Sequence, residues 1–105
     1  MNALVQRYTT VPDGYGGEEY KWVDHLTMHD GTLDKLSGDE VIASDRLGVL
    51  SSHIFIVFKM YDVNTTDRMI IEGKIYNIKD VDNPNNLNRQ LEISLEYTGD
   101  DYVQE

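Results

Sequence analysis

The chain has no cysteine among its 105 residues. Disulfides, thiolate metal sites and cysteine nucleophiles are therefore excluded, which fits a reducing cytosol. Basic residues are scarce, 9 Lys and Arg against 19 Asp and Glu, and the formal net charge is −10. A surface of that sign gains nothing from phosphate neutralisation. Its plainest consequence is solubility; a sharper one is that DNA slides past such a surface without sticking. Long apolar runs are missing too. The longest, Ile54 to Phe58, is strand-sized, far short of the ~20 residues of a membrane span. The first residues lack the charged and apolar regions of a secretory signal. The expectation is a soluble chain made in a cytosol, with no membrane partner.

Signatures of chemistry are equally sparse. Gly14, Gly16 and Gly17 cluster, but between two strand-like segments rather than at the start of a helix, so they read as a turn and not a phosphate loop. His25 and His29 are four apart. On a strand that spacing is roughly 13 Å, too wide for one metal. The segment DVNTTD, residues 62–67, lacks the central glycine and terminal glutamate of a calcium loop. No local nucleophile signature is present, and the aromatic residues do not interleave with a basic patch as single-strand nucleic-acid binding needs. No catalytic residue, cofactor or metal is expected; the sequence points to assembly.

What is present is strand patterning. Ala3 to Val11 ends in Thr9-Thr10-Val11 and is stopped by Pro12, which lacks an amide donor. Asp13 to Gly17 supplies residues that tolerate positive φ, as a hairpin needs. Tyr20, Trp22, Leu26 and Met28 then share one face, interrupted by Asp24, with Val23 an exception on the other. Trp22 is the expected core anchor. Asp30-Gly31 reads as a bend, and Thr32 to Leu36 as a short continuation of strand. In LSGDEVIASDRLG, Ser37 and Glu40 form a capping box and Gly48 follows Arg46 as a C-terminal stop; a helix of about ten residues is expected, marginal by itself. HIFIVFKMY is apolar on both faces and predicts a strand covered on both sides. Glu72-Gly73 is a two-residue hairpin signal, Asn83 to Asn88 a polar loop, and Leu91, Ile93, Leu95 and Tyr97 the inward face of a closing strand.

The sum is a mainly β fold, a small antiparallel β-barrel or sandwich of about six strands with one short α-helix. One domain over residues 1–98 is expected, with residues 99–105 a flexible acidic tail.

Three segments together resemble the small head-closure, or head–tail joining, proteins of tailed bacteriophages. They are Thr10, Asp13, Tyr15, Gly16, Gly17 with Trp22-Val23-Asp24; then LSGDEVIAS; then Asp67-Arg68-Met69 with Gly73, Tyr76, Ile78, Val81 and Asp82. The likeness runs from about Val5 to Tyr97. It implies a stopper: a ring beneath the portal and adaptor that closes the DNA channel after packaging and offers a docking surface to the tail or a tail-completion protein. Its partners would be copies of itself, though the free protein would be monomeric, and the portal–adaptor complex; packaged double-stranded DNA would be blocked cargo. By the same resemblance the region from His29 to Val49, with Asp30, Asp34, Lys35, Asp39 and Glu40, would carry the channel or gating loop or the element beside it, while Asp13, Gly16, Gly17, Trp22, Gly73, Tyr76 and Ile78 would be core and turn positions. One departure is that Lys59 is the sole Lys or Arg between Gly48 and Tyr61, where many relatives carry more basic charge. Blocking by sterics and repulsion fits this chain better than a grip on DNA. The alternatives are a tail-completion or tail-terminator ring protein and, further off, a small peptide-binding β module.

Overall fold

A computed structural model describes residues 1–36 and 51–103. Seven strands form one antiparallel sheet: β1 (Ala3–Pro12), β2 (Glu18–Met28), β3 (Thr32–Lys35), β4 (His53–Val57), β5 (Arg68–Ile71), β6 (Lys74–Asp82) and β7 (Leu91–Asp101). Their order is β2-β1-β5-β6-β7-β4-β3, so among the described residues β2 and β3 are the edges and the sheet curls without closing. The mainly β expectation holds, with one strand more than the six counted, because Thr32–Lys35 is a strand of its own. The helix expected over Ser37 to Gly48 lies outside the described residues.

The inner face follows from alternation. Ala3 and Val5 of β1, Phe55 and Val57 of β4, Met69 and Ile71 of β5, Tyr76 and Ile78 of β6, and Leu91, Ile93 and Leu95 of β7 are all buried in one cluster with Met28. Every second residue of each strand points to the same side, so a single curled sheet can wrap its own core. The inward run on β7 is the one read from sequence. β4 departs from expectation: Ile54 and Ile56 are only half-buried and Phe58 is 70% exposed. Its second face is not covered by any described element.

Two irregularities matter. The β1–β2 register slips between Val5 and Gln6, which face Leu26 and Asp24, leaving His25 as an extra residue in β2. A bulge of this kind reverses the side-chain phase of the strand beyond it. Leu26 and Met28 therefore face the core, whereas Trp22 and Tyr20 share the opposite, outer face with Tyr8 and Gln6. Trp22 is half-buried and outside the core cluster, which corrects its reading as core anchor. The interruption at Asp24 and the exception at Val23 mark this bulge in the sequence. The second irregularity is in β7, which continues through Gly99 to Asp101, with Asp101 opposite Lys74. Tyr102 then donates its amide to the Gly73 carbonyl at 2.7 Å. Asp101 and Tyr102 are thus paired backbone beyond an irregularity at residues 98–100, where a flexible tail from residue 99 was expected.

β1 meets β5 only over Leu4 to Gln6. Beyond that, among the described residues, 7–12 and 18–23 pair solely with each other and extend past the sheet as a two-stranded arm. The molecule is accordingly long, 50 × 29 × 25 Å.

Candidate functional site

The region expected to carry the function starts where β2 ends. Asp30 sits in the β2–β3 bend with φ 60°, exposed, its amide donating to Asn2 Oδ1 at 3.3 Å. Gly31 beside it is buried against the Phe55 ring, and its amide donates to the Met1 carbonyl at 2.9 Å. The bend is thereby fixed to the chain start and to the core. β3 follows as an edge strand whose Thr32, Leu33, Asp34 and Lys35 face Ile56, Phe55, Ile54 and His53 of β4. Leu33 packs on the core; Asp34 and Lys35 are exposed. The strands leave the described region side by side, since the Leu36 amide donates to the Ser52 carbonyl at 3.0 Å. Asp39 and Glu40 lie outside the described residues.

The anchoring on the β4 side is strong. The Ser52 amide donates to the Leu95 carbonyl at 2.7 Å, and the Ser52 hydroxyl accepts from the Tyr97 amide at 2.9 Å and contacts His53 Nδ1 at 2.8 Å. His53 packs edge-on against Tyr76, centroids 5.2 Å apart. Burial first, then Lys35 and Lys74, lower the His53 pKa below its ordinary 6.5. Burial also raises the Tyr76 phenol, helped by Tyr97 and Glu72. A cleft of about 380 Å³ opens beside the bend, lined by His29, Asp30, Val57, Phe58, Lys59 and Tyr61.

The other expected residues are structural. Asp13 Oδ1 accepts from the amides of Tyr15 at 2.7 Å and Gly17 at 3.1 Å, while the Asp13 amide donates to the Gly17 carbonyl at 3.1 Å. Gly16 has φ 86°, a conformation that costs any residue with a Cβ about 1–2 kcal/mol. Glu72 and Gly73, both at positive φ, make the two-residue turn between β5 and β6. Tyr76 and Ile78 are in the core.

Sequence reasoning missed the clamp at the root of the arm. On the inner side Arg7 grips the fully buried Asp67 carboxylate with two bonds, Nε at 2.9 Å and Nη2 at 3.0 Å. Asp67 also accepts from the Asn64 amide at 3.0 Å. This hydrogen bonding raises the Arg7 pKa. His25 Nε2, on the bulge, lies 2.8 Å from the Asp62 carbonyl. On the outer side Arg68 Nε donates to Gln6 Oε1 at 2.9 Å, Gln6 Nε2 donates to Asp24 Oδ1 at 2.9 Å, and the Arg68 guanidinium lies 4.4 Å from the centre of the Trp22 ring. Adjacent Asp67 and Arg68 thus brace opposite faces of one strand pair. Alternation in an Asp-Arg pair opening a strand is the signal that would have found it.

The sequence matches the profile of the phage head completion protein family over residues 3–97. The chain belongs to the phage head completion protein family. Membership gives it a structural role in the phage head or neck, in contact with other head and tail components. Among solved structures, the solution structure of protein SF1141 from Shigella flexneri 2a superposes with a TM-score of 0.74 at 20% identity, over 94% of this chain and 92% of that one. At that identity the likeness speaks for the fold alone. No curated protein sequence matches the chain. For a head completion protein, the structural character of Asp13, Gly16, Gly17, Gly73 and Tyr76 gives a physical reason for the turn and core positions on which the family resemblance rested.

Proposed function

We propose that this head completion protein forms a ring beneath the portal and adaptor, closes the DNA channel after packaging and presents a surface to the tail. The observation that carries the reading is the β3–β4 edge. It is pinned by backbone bonds at Gly31, Leu36 and Ser52, shows Asp30, Asp34 and Lys35 to solvent, and holds together the two ends, Leu36 and Ser52, between which the candidate segment lies in sequence. Copies arranged about an axis with this edge inward bring many carboxylates together across a DNA-sized opening. Repulsion between that edge and the phosphate backbone, added to steric bulk, opposes the escape of DNA and requires no grip on it.

The reading predicts that particles assembled without the protein package DNA and then lose it, and that purified protein added to them before the loss restores retention. Heads that keep their DNA but join no functional tail would instead support the tail-completion alternative.

A further inference from the structure

We infer that the outer face of the β1–β2 arm is a docking surface for an arginine-bearing segment of a partner protein. The arm projects beyond the sheet, since residues 7–12 and 18–23 pair only with each other among the described residues. Along its outer face Tyr20, Tyr8 and Trp22 form a continuous aromatic row, with Tyr8 5.5 Å from Tyr20 and 5.1 Å from Trp22. Tyr8 is 53% and Tyr20 66% exposed. Cross-strand aromatic contact helps hold a two-stranded ribbon together, yet more than half of each tyrosine is left to solvent. One end of the row is already occupied: Arg68 of the same chain lies over Trp22, and this shows the mode of contact the row accepts. The remaining faces, of Tyr8 and Tyr20, have no cation over them among the described residues.

Charge selects the occupant. By the strand register Glu18 stands on the same face as Tyr20, and it makes no ion pair among the described residues. Asp13 lies in the turn at the arm's tip. A guanidinium stacked on a tyrosine ring can reach a carboxylate at the row's edge, and arginine does both better than lysine. A second copy of this chain, at net −10, and duplex DNA are both disfavoured by repulsion. The site stands on the arm alone, whatever closes the channel.

The test is an NMR titration of the full chain with octa-arginine, and with octa-lysine of equal charge. Amide shifts should cluster on residues 8–10 and 18–22, and octa-arginine should bind more tightly than octa-lysine. The double variant Tyr8→Ser/Tyr20→Ser should weaken octa-arginine about fivefold or more. Glu18→Lys, which removes no ring and breaks no observed contact, should weaken it as well and covers the case in which the double variant loosens the arm. Equal binding by both peptides with shifts spread over all acidic surfaces would overturn the proposal. So would arm-centred shifts with a DNA duplex, or self-association of the wild type that the double variant abolishes.

Discussion

Gly31 leaves no room for a methyl group. A Cβ built there falls within the Phe55 ring, and Phe55 is fully buried. Gly31→Ala should therefore cost about 1–3 kcal/mol through overpacking, read as a lower urea midpoint at unchanged slope; an unchanged midpoint would mean the β2–β3 bend is not fixed to the core. Trp22 argues the other way. A core tryptophan truncated to alanine costs about 3–5 kcal/mol, but this one sits half-buried on the outer face between Arg68 and Tyr8. Loss of one cation–π and one aromatic contact predicts about 1–2 kcal/mol for Trp22→Ala in the same experiment. Residue type alone misplaced Trp22, because burial depends on strand phase, and the phase changes at His25.

At the scale of elements, strands and turns were legible where the chemistry is local. Pro12, Asp13 and the glycines after it specify a hairpin, and the alternation of Leu91, Ile93 and Leu95 specifies an inward face. The bulge at His25 and the pairing of Asp101 and Tyr102 were not legible, since each is decided by a partner strand distant in sequence. The candidate segment was legible only in part: the polar residues Asp30, Asp34 and Lys35 are exposed around an edge strand, while Asp39 and Glu40 are not among the described residues. The clamp of Arg7, Asp67, Gln6 and Arg68 depends on contacts across about sixty residues of chain, beyond the reach of local patterning. β4 carries a pH prediction. His53 has a lowered pKa in the folded state, so between about 6.5 and that lower value the unfolded chain binds more protons than the native one. This contribution to stability is fully present above pH 6.5 and declines as pH falls through that window. In His53→Asn, which keeps a polar atom near Ser52 Oγ, the fall in melting temperature from pH 7 to pH 5 should be shallower than in the wild type; equal slopes would show that His53 does not contribute.

At the scale of the whole molecule, the sheet supplies a core of twelve buried residues among the described ones, and the net charge of −10 opposes casual self-association. The free protein should sediment as a monomer of 12.1 kDa at micromolar concentration and low salt, and assemble only on its neck partners. A stable ring of the isolated protein would show that repulsion is outweighed without them. In the proposed ring the labour is divided: the curled sheet is the frame, and the segment joined to the β3–β4 edge obstructs DNA. Because the Leu36 amide meets the Ser52 carbonyl, residues 37–50 can be replaced by a Gly-Ser dipeptide without parting the strands. The decisive measurement is the DNA content of purified particles carrying that variant. The account predicts that the variant folds and joins particles, which package DNA and then lose it. Retention equal to that of wild-type particles would contradict it.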